Sequence, residues 1–524
     1  MLKFVFHCNL FLIIVTGFFL ISCEPTTGPQ KPMLEEVSEA EIPTQDLVKQ
    51  LDSEDVFIRS QATIQLGSRK EKKAIPKLRT LLNDKEPGVR AGAAIALGDL
   101  EDKESTTSIT RLLSEDKENP KDVYLDALAR MKDARAGSKI VPLLDASDST
   151  LRLQAVDTLV QIRAKDQGEA IVSLARKNRD REKDKTYAMV IGKLGVKSGE
   201  SYLLQLTKIE DESPTLAASY LALGRIKSQR GVDLLVTALK AKYSKGKENA
   251  SLALIEISDP KTIGLTFPLL DVDEPETRMY VTDVLSQIPS QEAGKIALTL
   301  LQGDKKYTWG SAAKIIGRQR YSAGREKIEQ HLLLESTPER DQFAESLGWL
   351  GDKRSISILR KVLVSQSKEG RYGSAWSLGI LGAKEALPDL ENALKDSDPK
   401  LVSYALEAIG SIADPSSLKT LKGLLQDRPK LAPQILSAVA LIPGEDARLV
   451  LEGSARENDA NVYRPALEEI AKRKSKDSIP LLFEFVNGEE GEKRKLSYYA
   501  LTAITGEHFR TRKDWNEWRA KNIK

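Results

Sequence analysis

One large aliphatic residue returns at a nearly constant interval along this 524-residue chain. It stands at Leu66, Leu97, Leu128, Leu159, Ile191, Leu223, Leu254, Leu285, Ile316, Leu347, Leu378, Ile409, Val439, Ile470 and Ile504. The steps are 31 residues almost throughout, with a few of 30 or 32 and a last one of 34. A register held over fifteen positions constrains the fold more than any local propensity. A unit of this length is one supersecondary element that buries its apolar face by stacking on copies of itself. The stretch Lys73 to Asp102 shows its content. Ile75, Leu78, Leu81 and Leu82 recur at helical spacing, Asn83 to Gly88 interrupts with turn residues, and Val89, Ala93, Ala94 and Leu97 form a second stripe. The pattern predicts two short helices joined by a tight turn.

Two small-residue rules run beside the aliphatic one. Alanine precedes the reference by four at Ala62, Ala93, Ala155, Ala250, Ala312, Ala405, Ala466 and Ala500, where a small side chain lets paired helices approach closely. Glycine follows it directly at Gly67, Gly98, Gly192, Gly224, Gly317, Gly348, Gly379 and Gly410. That position suits either a close backbone approach or a helix stop.

The first helix carries Ala74-Ile75-Pro76-Lys77-Leu78, echoed at Ile140 to Leu144, Ala386 to Pro388 and Ile479 to Leu481. The second opens with Val89-Arg90 and runs into Ala93-Ala94 and Ala96-Leu97-Gly98, and a basic residue returns at the Arg90 position as Arg59, Lys121, Arg152, Lys247, Arg278, Arg340 and Arg371. On these residues the chain resembles the HEAT-repeat family, in particular its short bacterial variety, seen also in phycobilisome-lyase-like proteins. The resemblance covers residues 45–506. It implies an all-α, right-handed α-solenoid of about fifteen helical hairpins, with the second helices lining the concave side. It also implies that the basic residue pairs with a turn aspartate, such as Asp84 or Asp148.

Ahead of the repeats, residues 1–22 carry Lys3 and then a run of Phe, Leu, Ile and Val, closing at Leu20-Ile21-Ser22-Cys23. This reads as a secretory signal. Its last four residues resemble the bacterial lipobox, which implies that the Cys23 thiol is lipidated, by palmitate among other chains, and becomes the first mature residue. Residues 23–44 are acidic and proline-rich, with little to bury, and read as an extended tether. The only other cysteine, Cys8, leaves with the signal, so no disulfide is expected.

Charged residues make up 30% of the chain and balance to a net +3, which argues against a general nucleic-acid binder. Beyond the signal only His331 and His508 remain, so a His/Cys zinc site is excluded. The iron-binding HEAT enzymes rely on His-Glu pairs, whereas Leu332 and Phe509 follow the two histidines. No phosphate-binding loop, nucleophile elbow or dinucleotide fingerprint is present. No enzyme, metal or cofactor is expected.

The five tryptophans are unevenly placed. Trp309, Trp349 and Trp376 fall in successive units, and Tyr372 shares a helix face with Trp376. These four form a candidate binding patch on the concave side. The competing reading is irregular core packing, since Trp309 stands seven before Ile316, at the usual arginine position. Trp515 and Trp518, with Phe509, mark residues 507–524 as a cap over the open face of the last repeat. The resulting expectation is a non-enzymatic, lipid-anchored scaffold or adaptor of the bacterial cell envelope, holding another protein on its solenoid surface and the membrane through its lipid. The alternatives are a small-molecule or pigment-handling role and a structural component contacting polysaccharide.

Overall fold

The computed structural model describes residues 42–177, 180–208, 213–488, 491–509 and 511–523. They form a right-handed, all-α solenoid of helical hairpins from Thr44 to Asn522. The signal and Cys23 lie outside the described residues, as does all of the tether but residues 42–44.

In each unit a short first helix, such as Ile75–Leu81, is followed by a longer second helix, such as Pro87–Asp99. Pro87 occupies the first helical turn rather than the connecting loop. It costs nothing there, because its missing N–H belongs to a donor without an intrahelical partner. Leu78, Val89, Ala93, Ala94 and Leu97 are fully buried, so both stripes face one shared core. Each fully buried leucine contributes about 1.5–3 kcal/mol relative to exposure. The fourteen reference residues from Leu66 to Ile470 are all at most 1% exposed.

The fifteenth reference is different. Ile504 is only half-buried, whereas Leu501, 31 residues after Ile470, is fully buried. Arg494, seven before Leu501, makes the contact that the repeat arginines make elsewhere, donating to the Gly488 carbonyl at 2.6 Å. The period is therefore unbroken. The apparent last step of 34 arises because Ile504 is not the equivalent residue of the final helix.

Second helices end by a common device. Four residues past the reference the backbone enters the left-handed region at twelve of the fifteen units, from Lys70 and Glu101 to Ala413 and Lys474. Two reverse bonds then close the helix, as where Glu101 N–H donates to Gly98 O at 2.9 Å and Asp102 N–H to Leu97 O at 3.0 Å. Only three of the twelve are glycine. Pro289 and Pro443 occupy the same position in two units that lack the device, because the proline ring fixes φ near −65°. The first helices that follow them, Gln291–Gln302 and Glu445–Arg456, are long and begin without the 3-10 turn that opens most first helices.

The glycine after the reference serves approach, not termination. A Cβ built on Gly98 would stand 2.9 Å from the carbonyl oxygen of Ala127, and one on Gly379 would stand 2.7 Å from the Cα of Ala408. Each partner lies one residue before the next reference. Consecutive second helices thus pack backbone to backbone, while first helices touch their neighbours sparingly. The closely packed row takes the shorter arc, so second helices line the inner face.

The repeat arginines tie neighbouring units together. Arg59 donates to Asp84 of the next unit at 3.0 Å and to the Ser53 carbonyl at 2.7 Å, and Arg90 donates likewise to Asp116 and to the Asp84 carbonyl. Asp148 does something else, since its side chain accepts from Thr150 N–H and caps its own helix. Arg152 satisfies the Ala146 and Ser147 carbonyls instead, and Lys121 is exposed.

Past the last unit, helix Arg512–Asn522 takes the place of a sixteenth first helix. Its Asn516 exchanges amide bonds with Asn487 of the preceding first helix, and its Arg519 lies over the Phe483 ring at 5.0 Å. Trp515 is fully buried and meets Phe509 and Trp518 edge-on. This helix is half of a repeat.

Candidate functional site

On an α-helix two residues correspond to a rotation of about 200°, so positions two before and two after a buried reference point away from the core. In the units of Leu347 and Leu378 those positions hold Trp349 and Trp376. Their rings meet edge-on with centroids 5.8 Å apart. Arg318, at the equivalent place one unit earlier, lays its guanidinium 4.0 Å from the Trp349 centroid. One turn before Trp376, Tyr372 stacks on Tyr404 of the next second helix at 5.7 Å, and Lys400 sits over its ring at 4.4 Å. The Tyr372 hydroxyl donates to Asp398, and that bond, with lesser burial, pushes it up to about 12. All four rings are half-buried. On the same ladder Ile380 is 51% exposed and Leu441 60%, with the exposed Ser411 between them.

Glu345, two before Leu347, lies among these rings. Burial pushes its carboxyl up, the nearby Asp341 adds to the shift, and Lys314, Arg318 and Lys400 pull the other way. The strip is thus apolar at its rings, with both signs of charge around it.

Three of the four patch residues come together, and Trp309 does not join them. Its indole Nε1 donates to the Gly303 carbonyl at 2.9 Å, six residues back, the span over which Arg59, Arg90, Arg152 and Arg278 reach their carbonyls. Tryptophan here does the arginine's work of satisfying the end of the first helix, with a neutral donor. Its ring rests 4.4 Å from His331, which is 5.6 Å from Phe343. His331 is buried, with Nε2 3.0 Å from the Leu301 carbonyl and Nδ1 unpartnered, and burial lowers its pKa. Tyr404, which completes the strip, was not singled out from the sequence. Its signal was its place in the helix that follows Tyr372, on the ladder of positions turned from the core.

Among the described residues no group of three or more His, Cys, Asp or Glu side chains is placed to hold a metal ion. No described helix is long and apolar enough to cross a membrane.

Comparison with known proteins matches HEAT repeats over residues 44–123 and 361–442, and a PBS lyase HEAT-like repeat over residues 339–365. No curated protein matches. Similar solved structures include importin beta, in an ammonium sulfate condition, at 13% identity and a TM-score of 0.44, over 88% of this chain and 79% of that one. Kap121p gives 13% identity and a TM-score of 0.42, over 88% of this chain and 61% of that one. An engineered protein gives 20% identity and a TM-score of 0.24, over 82% of this chain and 99% of that one. A likeness at this level says nothing about what the chain binds.

These findings correct the expectation of a bacterial lipoprotein. The similar solved structures named above are importin beta, Kap121p and an engineered protein, and none lends support to a lipid anchor. The lipid on Cys23, the membrane as a partner, the cell-envelope location and the anchored scaffold fall with it. That expectation rested on Leu20 to Cys23 alone, and the repeats lend it no support, because stacked hairpins bury the same stripes wherever a solenoid works.

Proposed function

We propose that this chain is a non-enzymatic, protein-binding solenoid whose inner face between residues 340 and 412 holds a segment of another protein. The observation that carries this reading is the strip of Trp349, Trp376, Tyr372 and Tyr404. Neighbouring rings and cations already hold these four in place, and they are half-buried rather than covered. Rigid aromatic surface gives large contact area with little further loss of side-chain freedom on binding. Exposed Ile380 extends the apolar track along the same ladder.

The test places a photo-crosslinking residue at Ile380, inside, or at Lys361, on a first helix outside. Adducts to a discrete partner are expected from the inner position and are expected to disappear when Trp376→Ala is added. The same substitution is expected to cost well under the roughly 3–5 kcal/mol of a fully buried tryptophan. Equal adducts from both positions, or a full core penalty for Trp376→Ala, would reject the inner face.

A further inference from the structure

On the opposite side of the solenoid, two successive first helices, Leu418–Asp427 and Glu445–Arg456, and the start of the second helix Ala460–Arg473 line an open groove of about 730 Å³. Pro443 stands where most units turn left-handed, and Glu445–Arg456 starts directly after it. Gly453 then contributes no side chain, and a Cβ built on it would meet nothing within 4 Å.

The groove has an apolar floor and an acidic rim. Leu425, Leu449, Val450 and Val462 form the floor, and Leu449 is 50% exposed. Asp446, Glu457 and Asp459 stand around it against a single ammonium, that of Lys422. Asp459 caps the helix behind it through Asn461 N–H, while Asp446 and Glu457 make no ion pair with a described residue. Arg456, beside Glu457 in the chain, turns away to Glu484 at 3.0 Å. An exposed leucine in a concave, net-negative setting is matched by an apolar side chain that carries positive charge beside it.

We infer that this outer groove is a second binding site, for a short peptide segment presenting a large apolar side chain flanked by lysine or arginine. The apolar residue seats on Leu449 and Val450, in the space that Gly453 leaves, and its basic neighbours face Asp446 and Glu457. The site lies on the face away from the aromatic strip and stands whether or not that strip binds.

Two acetylated tetrapeptide amides with the same neutral fluorophore test this by anisotropy on the full chain. One is lysine-leucine-phenylalanine-lysine, the other glutamate-leucine-phenylalanine-glutamate. The basic peptide is expected to bind at least about tenfold tighter, with affinity falling as salt rises. Gly453→Leu fills the groove and is expected to weaken the basic peptide at least about tenfold, while melting temperature holds or rises because glycine leaves a helix interior. Should that variant fold poorly, Asp446→Asn with Glu457→Gln, both exposed and unpaired, is expected to narrow the gap between the peptides. Trp376→Ala is expected to change nothing here. No saturable binding of the basic peptide overturns the inference. So do equal binding of the two peptides and indifference to both the filling and the neutralising variants.

Discussion

Gly224→Ala adds one methyl group where two second helices touch. In helix Pro214–Arg225 the new Cβ would stand 2.5 Å from the Cα of Ala253, 2.8 Å from its Cβ and 3.3 Å from its carbonyl oxygen. Ordinary contact begins at 3.4 Å, and the obstacle is backbone, so no flexible side chain can swing aside. Helix Ser244–Ile257 must move off by most of an ångström. Overpacking of this kind costs about 1–3 kcal/mol, and alanine's better helix propensity returns about 1 kcal/mol. The net loss expected is about 1 kcal/mol, reaching 2 if the pair cannot part. The same substitution at Gly423, in helix Leu418–Asp427, meets nothing within 4 Å and is expected to stabilise by about 0.5–1 kcal/mol. One chemical change thus has opposite signs at two sites. Stacked units unfold largely through their nearest neighbours, so hydrogen exchange over residues 214–257, alongside urea denaturation, reads the local effect. If Gly224→Ala proves more stable than the parent, as Gly423→Ala is expected to be, the backbone-to-backbone stacking is refuted.

Four further outcomes follow from the same geometry. Burial pushes the Asp116 carboxyl up, but bonds from Arg90, Tyr124 and Asn119 outweigh it and hold it well below the usual carboxylate range. Its stabilisation is therefore present above about pH 4 and lost as pH falls toward the folded value. Asp116→Asn should cost about 1–3 kcal/mol at neutral pH and flatten the acid limb of urea unfolding; parallel limbs would count against it. His331 is shifted down by burial, so the folded state binds fewer protons than the unfolded one and stability should fall as pH drops below about 6.5. His331→Phe, measured by melting between pH 7 and 5, should lose that slope, and an unchanged slope would assign it elsewhere. Trp515→Ala should cost about 3–5 kcal/mol, seen as faster exchange over residues 479–505. Deleting residues 507–524 should leave a chain that aggregates, whereas full solubility and an unchanged melt would show that the half-repeat is not a cap.

The legible part of the candidate site was its chemistry more than its membership. Trp376 and Tyr372 share a face because they are one turn apart on one helix, and that is visible in sequence. That Trp349 meets Trp376, and that Tyr404 meets Tyr372, depends on how far each unit is rotated against the next. Trp309 was legible only as an alternative. Its place seven before Ile316 allowed an arginine-like role, and the bond to Gly303 shows that it fills one.

The period, the two stripes of each hairpin and the alanine four before the reference were enough by themselves to determine a stack of helical pairs with their apolar stripes buried between them. Helical periodicity states which side of each helix must leave water, and in a repeating chain that statement is made fifteen times over. It does not state where along the buried side the next hairpin arrives. Tertiary packing decided that the glycines are contact points while helix ends fall at residues such as Glu101 and Lys132. It also decided that Leu501 rather than Ile504 closes the register, and that a groove lies open on the outer face beside Gly453. Each is settled by the offset between neighbouring units, a sum of many contacts that no one segment of the chain contains.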